Sequence, residues 1–476
     1  MKRAWSRKNV WERTPQWAKA GLGRVLTRVS PALLLGRRFR RALRFVQDSE
    51  RWPTERVEAY QLEQLRSICA LAYERTDYYR RTFDAVGFQP GDLKSLSDLH
   101  GLPFIDKGTL REHLNEMCTA SPTGRGVDYT STGGSSGTPL QFYIGADRSA
   151  IEYAYLVASW GRAGYTLDQS QAVLRGQIVA RNQAGLHHMF DPLLRRHYYS
   201  NFHMTGENMR RYLDHIRTIG PCYLHVYPSS AVALACYLER SGDAMPDNIR
   251  GVLAGSENVY AEDRARVEAV MGVRVFSWYG HSEKLVFAAE CEHSSVYHVA
   301  PTYGYMELLD TAGRPVTTIG KQGEIVGTGF INRIVPFIRY RTGDFAEYRG
   351  ARCDACGREY PLLAEVAGRW PQGCLVAHDG AMITMTALNL HDDTLANVVA
   401  YQFYQDTPGR AELRIVPNGK LDAAARSSIL KRMNARLQEQ VTLSLALRDE
   451  LPKTRSGKLL RVMQEIPGVV RDGEIV

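Results

Sequence analysis

Short runs rich in β-forming residues alternate with helix-like stretches between about residues 150 and 345. The clearest of these runs are residues 171–174, 223–227, 251–254 and 274–277. Strands that alternate with helices along a chain build βαβ units, in which neighbouring strands lie parallel. The pattern therefore predicts an α/β fold with a largely parallel sheet.

The sequence changes character after Gly368 and Arg369, where a hairpin-like region, a helix around residues 423–438 and a basic tail follow. A chain of 476 residues is also too long for one compact core. We therefore expect three segments. They are a basic N-terminal arm over residues 1–53, a large domain over 54–369 and a small C-terminal domain over 370–476.

The positive charge is concentrated at the N-terminus. Residues 1–51 hold 14 Lys and Arg against 3 acidic residues, a net charge of +11 in a chain whose total is +9. The rest of the chain is thus nearly neutral, which argues against binding of nucleic acid. Two interpretations of residues 1–51 remain: a helical arm at the protein surface, or a segment attracted to the headgroups of an anionic membrane.

The sequence contains no run of about 18 uncharged apolar residues that could span a bilayer. The N-terminal segment has neither the apolar length nor the cleavage site of a signal peptide. Eight cysteines in so long a chain then favour a reducing compartment over a disulfide scaffold. We expect a cytoplasmic protein.

A loop rich in glycine and hydroxyl side chains precedes most of the alternating region. Its members are Ser131, Thr132, Gly133, Gly134, Ser135, Ser136, Gly137 and Thr138. Glycine backbones and exposed N–H groups suit the phosphates of ATP, although the Gly-Lys-Ser/Thr ending of ordinary NTPase loops is missing. Taken alone, such a run is equally typical of a flexible loop.

Two further segments place a ring or a carboxylate beside a turn. In residues 277–283, the ring of Tyr279 can stack on adenine and Glu283 can bind Mg²⁺. In residues 339–344, Asp344 can accept hydrogen bonds from both ribose hydroxyls. Taken singly, the first segment is also explained by a packed tyrosine and a helix-capping glutamate, and the second by a β-turn with a surface aspartate.

A basic segment near the C-terminus, residues 451–461, carries Lys458 directly after a glycine. On such a turn, the ammonium group can stabilise negative charge that develops at an α-phosphate and a carboxylate. Taken alone, the segment is also explained as a solvated basic tail.

In order and content, these four segments resemble the adenylate-forming (AMP-binding) superfamily. They are most similar to its branch of phenylacetate–CoA ligases and CapK-like proteins of capsular polysaccharide biosynthesis. The resemblance extends from about Thr54 over almost the whole remaining chain. It implies a large multi-layer αβ N-terminal domain and a small, mobile α+β C-terminal domain that acts as a lid.

The resemblance also implies roles for individual residues. The loop at 131–138 would bind the phosphates, and Thr132 would take part in catalysis. The adenine pocket would be lined by three consecutive residues, Gly255, Ser256 and Glu257. The segment that stacks on adenine and lines the nucleotide would consist of Tyr279, Gly280, His281 and Ser282.

Charged residues would complete this arrangement. Glu283 would hold magnesium and serve catalysis, and Asp344 would bind the ribose. Arg369 would lie at the hinge between domains, and Lys458 would act in adenylation. Residues 370–372 depart from the family pattern, which often has a charged hinge residue shortly after its Gly-Arg pair.

Cysteines and histidines give a separate signal. Cys353 and Cys356 have the spacing of a zinc knuckle, and Cys291, His293 and His298 lie upstream. Many members of the branch have a similar arrangement. We expect a closed, structural zinc site of Cys291, His298, Cys353 and Cys356, with His298 favoured over His293 because two residues is a tight spacing for a Cys–His pair. The alternative is a set of reduced thiols in a buried loop.

The predicted reaction is attack of a small-molecule carboxylic acid on Mg·ATP, release of pyrophosphate and transfer of the acyl group to a thiol. Coenzyme A is the expected acceptor, with a carrier-protein thiol, an amine or a hydroxyl left open. Aromatic residues within 159–165, Tyr227 and His281 would suit an aryl or arylacetyl acid, whereas the CapK likeness points to a carboxylate destined for a cell-surface glycan. The sequence leaves the oligomeric state open, with a homodimer as one option. The alternative from another class is a non-catalytic, nucleotide-binding scaffold recruited to a membrane.

Overall fold

The structure is a computed structural model that describes residues 23, 26–131, 140–177, 179–182, 184–367, 374–380, 382–384, 394–395, 398–417, 419–452 and 461–466. The chain divides into two compact units. The first unit comprises residues 1–130, 140–168 and 276–368, and the second comprises residues 131–139, 169–275 and 369–476. A division at 368/369 lies next to the predicted start of a C-terminal domain. The predicted large domain over 54–369, in contrast, contributes residues to both units, and the three-segment division stays a prediction.

The helices of the described residues are, in chain order, α1 (Pro31–Leu34), α2 (Gly36–Ser49), α3 (Thr54–Arg75), α4 (Asp77–Ala85), α5 (Lys107–His113), α6 (Arg148–Gly161), α7 (Gly206–Ile216), α8 (Pro228–Ser241), α9 (Ala261–Met271) and α10 (Ala423–Leu437). The strands are β1 (Val127–Ser131), β2 (Gln141–Gly145), β3 (Ser170–Leu174), β4 (His188–Asp191), β5 (Arg196–Tyr199), β6 (Cys222–Val226), β7 (Ile249–Gly255), β8 (Val275–Gly280), β9 (Phe287–Ala289), β10 (Tyr297–Val299), β11 (Gly304–Leu309), β12 (Gln322–Gly329), β13 (Tyr340–Gly350), β14 (Leu362–Ala367), β15 (Cys374–Val376), β16 (Met382–Thr384), β17 (Val398–Thr407), β18 (Arg410–Pro417), β19 (Thr442–Leu447) and β20 (Val462–Gln464).

The second unit contains the parallel sheet that the alternating pattern predicted. Its strands lie in the order β7-β6-β3-β5-β4, and all neighbours pair in parallel except the antiparallel edge pair β5 and β4. Every residue of β6 is buried, as expected for a parallel strand covered on both faces. Helices α7, α8 and α9 contribute apolar side chains to the same core. The α/β fold class is therefore confirmed.

The sheet of the first unit is antiparallel, so the prediction of a largely parallel sheet was wrong for residues 275–345. Its strands lie in the order β11-β12-β13-β14-β10-β9-β8, and each described pairing is antiparallel. No helix intervenes between successive strands from β8 to β14 in the described chain. Short connections of this kind can join antiparallel neighbours, whereas parallel neighbours need a longer crossover.

The C-terminal part of the second unit has a sheet of its own. Strands β17 and β18 form an antiparallel pair that is flanked in parallel by β20 and β19. The predicted helix at 423–438 corresponds to α10, which begins where Asp422 Oδ1 accepts a hydrogen bond from the Ala425 N–H at 2.7 Å. Met433 of this helix is fully buried and joins the apolar core of the sheet, which also includes Phe202 and Tyr227.

The described part of the predicted N-terminal arm packs onto the first unit. The ring of Phe39 in α2 lies 5.6 Å from that of Tyr153 in α6, and Val46 joins the same apolar cluster as Tyr155. Glu50 follows α2 and accepts hydrogen bonds from buried arginines of the unit. Residues 31–50 are therefore part of a folded unit, while most of the residues before 26 lie outside the described part of the chain. No helix in that part is both long enough and apolar enough to cross a membrane.

Candidate active site

Glu283 lies in the turn after β8, with its carboxylate buried. Oε1 accepts a hydrogen bond from the Tyr340 hydroxyl at 3.3 Å, and Oε2 lies 3.4 Å from Nδ1 of His281. Burial would raise the pKa of Glu283, but His281 and Lys107 favour the ionised form more strongly and lower the pKa to about 2. At neutral pH, Glu283 is thus a carboxylate, which is the ligand type that Mg²⁺ prefers.

Two glycines allow neighbouring strands to approach the backbone after Glu283 closely. A Cβ atom at Gly304 would lie 1.9 Å from the carbonyl oxygen of Leu285, and one at Gly327 would lie 2.8 Å from the Leu285 Cβ. Only glycine permits such an approach. Between Glu283 and Leu285, Lys284 adopts a left-handed φ of +62° and pairs with Glu152. A strained non-glycine residue held in this way is typical of a functional site.

Tyr279 and Asp344 come together although 65 residues separate them. The Tyr279 hydroxyl donates a hydrogen bond to Asp344 Oδ2 at 2.8 Å. Burial, reinforced by Asp344, raises the pKa of Tyr279 well above its usual value, so the hydroxyl remains a donor. The structure therefore brings two of the predicted segments into contact within the first unit. We refer to Tyr279, Glu283 and Asp344 as the carboxylate cluster.

Glu324 of β12 holds the bulge of β13 that carries Asp344. Its Oε1 accepts a hydrogen bond from the Gly343 N–H at 3.0 Å, and its Oε2 accepts one from Nε of Arg341 at 2.9 Å. Gly343 has a φ of +69°, a conformation that favours glycine. Sequence reasoning missed Glu324, because nothing in its own segment marks it as a partner of a strand bulge 19 residues downstream.

A buried ion pair fixes the start of the same segment. The Arg339 guanidinium binds both carboxylate oxygens of Glu307, at 2.7 and 3.0 Å, and donates a further hydrogen bond to the Leu102 carbonyl at 2.6 Å. Arg339 also has a left-handed φ of +51°. The fork geometry of the pair satisfies the charge that burial would otherwise penalise.

In the second unit, polar side chains meet at the carboxyl ends of β3, β6 and β7. The Arg175 guanidinium contacts His225 Nε2 and Ser256 Oγ, and it lies 5.1 Å from the ring centroid of Tyr227. Burial lowers the pKa of Arg175 and, to a greater extent, that of His225. The carboxyl ends of parallel strands are where open α/β sheets bind ligands. Arg175 and His225 were missed by sequence reasoning.

The predicted adenine-pocket residues lie at this same edge. Gly255 ends β7, and Ser256 follows with a φ of +70°. Glu257 Oε2 accepts a hydrogen bond from the Ser229 N–H at 3.0 Å. That bond ties the loop after β7 to the first turn of α8.

Four buried side chains form a cysteine–histidine cluster in the first unit: Cys291, His298, Cys353 and Cys356. Their ligand atoms all lie within 4.8 Å of one another. Nε2 of His298 lies 3.4 Å from Sγ of Cys356, while Nδ1 bonds the Val296 carbonyl at 2.9 Å. A second bond of this kind fixes which ring nitrogen faces the cluster. His293 contributes only its backbone N–H, which donates to Cys291 Sγ at 3.4 Å.

Charged groups enclose the cysteine–histidine cluster. Arg358 follows the turn that holds Cys353 and Cys356, and its guanidinium binds both oxygens of Glu292 at 2.6 and 2.7 Å. It also donates to Glu50 at 2.9 Å, and Arg51 donates to the Cys356 carbonyl. The donor set and its closed surroundings fit a tetrahedral zinc ion with no open position.

Several predicted site residues lie outside the described residues. They are Thr132, Gly133, Gly134, Ser135, Ser136, Gly137, Thr138, Arg369 and Lys458, together with the side chain of Ser131. Among the residues expected to shape an acid pocket, Trp160 and Tyr165 are both 2% exposed and pack edge to face. These two rings belong to the core of the first unit, whereas His281 remains next to Glu283.

The chain is similar to phenylacetate–coenzyme A ligases and to a CapK protein. No family model matches the chain. A phenylacetate–coenzyme A ligase of Aromatoleum evansii is 28% identical over 330 residues, which are 67% of this chain and 72% of that protein. Protein CapK of Staphylococcus aureus is 21% identical over 259 residues, 54% of this chain and 56% of CapK.

Solved structures show the same relationship at the level of the fold. A 2-hydroxyisobutyryl-CoA ligase, in complex with 2-HIB-AMP and CoA, superposes with a TM-score of 0.59 at 22% identity. The superposition covers 88% of this chain and 91% of that protein. The resemblance predicted from the motifs is therefore confirmed: the chain has the fold of the adenylate-forming superfamily and is similar in sequence to its phenylacetate–CoA ligase branch.

Proposed function

We propose that the protein is an AMP-forming acid–thiol ligase that activates a carboxylic acid with ATP and transfers the acyl group to coenzyme A. The observation that supports it most is the hydrogen bond from Tyr279 to Asp344, beside the ionised Glu283, in a chain similar to phenylacetate–CoA ligases. Two segments far apart in sequence thereby present a ribose-type carboxylate and a metal-type carboxylate together. A non-catalytic scaffold would not need an ionised carboxylate held in a buried position.

In the first step, an oxygen of the substrate carboxylate attacks the α-phosphorus of ATP. A new P–O bond forms, the bond to the β-phosphate bridge breaks, and pyrophosphate leaves with its electron pair. Asp344 accepts hydrogen bonds from the ribose hydroxyls, and the loop at 131–138, including Thr132, binds the phosphates. Lys458 places a positive charge beside the α-phosphate as negative charge develops there.

Glu283 fits as the ligand of a magnesium ion, because it is ionised and its two oxygens are oriented by Tyr340 and His281. When bound, Mg²⁺ neutralises charge on the triphosphate. His281 has a further role in this proposal: its buried Nε2 has no hydrogen-bond partner within the described residues. We assign that nitrogen to the bound acid or its adenylate.

In the second step, the thiol sulfur of coenzyme A attacks the carbonyl carbon of the acyl-adenylate. A C–S bond forms, the C–O bond to AMP breaks, and the thiol proton is released. Residues 370–476 act in this scheme as the lid that withdraws Lys458 and admits the thiol. The cytoplasmic location is part of the proposal, while the homodimer and the membrane contact of residues 1–51 stay predictions.

We also propose that the cysteine–histidine cluster holds a structural zinc ion. Three thiolates and one imidazole supply four ligands and leave no position for substrate. Buried thiols without a metal would be the alternative. Zinc analysis of the purified protein, with one equivalent fewer in Cys353→Ser than in the wild type, distinguishes the two.

The likeness to CapK favours a second candidate, in which the activated carboxylate is destined for a cell-surface polysaccharide. Both candidates share the adenylation step and differ in the acceptor. Thioester formation with coenzyme A supports the first candidate. Adenylation without thioester formation, followed by transfer to a sugar amine or hydroxyl, supports the second.

The adenylation step is tested by carboxylate-dependent exchange of labelled pyrophosphate into ATP, across aryl, arylacetyl and short hydroxy acids. We expect exchange with at least one acid, and a loss of about 10²- to 10³-fold in Lys458→Ala. The exposed Lys420 provides the matched control, because Lys420→Ala removes an ammonium from the same unit without touching the proposed chemistry. No exchange with any acid, from folded protein that still binds ATP, would instead support the scaffold.

A further inference from the structure

Three histidines come together on strands β4 and β5, at the edge of the second unit's parallel sheet, and on helix α7. His188 lies in β4, His197 in β5 and His215 in the last turn of α7. In the antiparallel pair of β4 and β5, His188 lies opposite Tyr199 and His197 lies opposite Phe190. The two histidines are thus diagonal neighbours on one face of the pair. Helix α7 brings His215 against that face.

The rings are close enough for their nitrogens to share an ion. The centroid of His188 lies 4.2 Å from that of His215 and 5.3 Å from that of His197. Nε2 of His188 lies 3.1 Å from Nδ1 of His197, and one nitrogen from each of the three rings lies within 4.8 Å of the others. Metal–nitrogen bonds of about 2.0–2.1 Å hold the ligands of a tetrahedral ion roughly 3.4 Å apart. Small ring rotations therefore suffice to bind one.

Tyr199 orients the third ring. Its hydroxyl lies 2.8 Å from Nδ1 of His215, so this nitrogen is occupied by a hydrogen bond and Nε2 is left as the ligand atom of His215. Tyr199 itself is fully buried, which fixes the position of its hydroxyl. Metal-binding histidines commonly make such a bond through the ring nitrogen that does not face the metal.

The charge state of the rings suits a metal ion. Burial lowers the pKa of His188 to about 4 and that of His197 to about 3, and it also lowers the pKa of His215. At neutral pH the rings are therefore neutral imidazoles, the form that binds metals. All three are only partly buried, so an ion can reach them from solvent.

We propose that His188, His197 and His215, the three-histidine cluster, form a site for one divalent transition-metal ion such as zinc. Three nitrogen ligands leave a fourth position for water or a small anion. The site differs from the cysteine–histidine cluster, which offers three sulfurs and no open position. It does not depend on the proposed ligase function.

The test is zinc binding to the full-length protein, measured by equilibrium dialysis after the zinc already present has been quantified. We expect one further equivalent in the wild type. His197→Phe and His188→Phe keep a ring in the packing beside Phe190 and Tyr199 but remove the ligand nitrogen. Each is therefore expected to lower the affinity for the further zinc ion by at least about tenfold. Tyr199→Phe should lower the same zinc affinity by about tenfold, because the substitution removes only the orienting hydroxyl.

His113→Phe is the matched control, since His113 lies in the first unit beside Glu116 and outside the cluster. It should bind the further equivalent as the wild type does. Cobalt substitution reports the ligand type: the new site should give weak visible bands without the strong near-ultraviolet absorption of cobalt–thiolate bonds. Melting temperatures of the variants as purified, measured before zinc is added, check that they fold.

Two results would overturn the proposal. One is a wild type that holds no zinc beyond one equivalent at neutral pH, either as purified or after dialysis against zinc. The other is folded His197→Phe or His188→Phe protein that binds it as tightly as the wild type. Either result would leave the cluster as a packing of neutral rings.

Discussion

The first unit contains two polar clusters that are built in opposite ways. In the carboxylate cluster, Tyr279 and Asp344 are partly exposed, and the backbone next to Glu283 is strained at Lys284. In the cysteine–histidine cluster, all four side chains are buried, and the pair of cysteines is enclosed by hydrogen-bonded charges. One arrangement keeps room for a ligand, and the other has none.

This difference predicts that mutations in the two clusters have different consequences. A closed cluster cross-links distant segments, so its loss should lower stability. An open cluster with strained surroundings contributes little to stability, so its loss should lower activity while the fold remains. Variants that shift only one of the two properties therefore test the comparison.

The largest effect is expected for Cys353→Ser. Loss of the proposed zinc ion should lower the free energy of unfolding by more than about 4 kcal/mol, since metal loss belongs to the few mechanisms that cost so much. Denaturant titration and metal analysis measure the change. Cys118→Ser is the control, because a serine hydroxyl can still donate to the Leu114 carbonyl that Cys118 contacts at 3.2 Å. Equal stability of the two variants would show that the cluster holds no structural metal.

Glu283→Gln should lower activity and leave stability nearly unchanged. The amide keeps the shape of the side chain and can accept the Tyr340 hydrogen bond, but it lacks the charge that binds magnesium. We expect acid-dependent pyrophosphate exchange to fall about 10²- to 10³-fold, or about 3–4 kcal/mol in the barrier, with little change in melting temperature. Glu347→Gln on β13 removes a carboxylate that pairs with Arg349 and should remain active. An active Glu283→Gln protein would remove the metal role from the proposal.

Arg358→Ala tests whether the enclosure of the cysteine–histidine cluster matters for stability. It leaves Glu50 and Glu292 without their shared partner, and breaking a largely buried pair on one side costs about 3 kcal/mol. Arg352→Ala is the matched control, because Arg352 is exposed and its bridge to Glu359 should contribute less than about 1 kcal/mol. Activity per folded molecule should be unchanged in both. A loss of activity in folded Arg358→Ala protein would break the separation of the two clusters.

Much of this organisation could be predicted from the sequence. The runs at 171–174, 223–227 and 251–254 overlap β3, β6 and β7, because short apolar segments between helices favour buried strands. The four members of the cysteine–histidine cluster were named from spacing and family likeness, and the structure brings them together. Their role as zinc ligands stays a proposal.

Other features depend on contacts that no local pattern encodes. Glu50 and Arg358 are 308 residues apart, and neither lies in a recognisable motif. The approach of Gly304 to Leu285 becomes visible only when the register of β11 and β12 is known. The antiparallel half of the fold was missed for a similar reason, since short β-runs read the same in either direction and only the connections decide.

The smallest effect is expected for Glu324→Gln, and it is the sharpest test of the comparison because Glu324 touches no proposed ligand. The amide can still accept the Gly343 hydrogen bond but loses its charge toward Arg341. Arg341 is half-exposed, so the lost ion pair should change stability by less than about 1 kcal/mol. A looser strand bulge at Asp344 should nevertheless lower kcat/KM for ATP about tenfold, or about 1.4 kcal/mol, mainly through KM. If Glu324→Gln instead loses stability at unchanged KM, the residue supports the sheet rather than the position of Asp344, and Glu324 would have no part in the open cluster.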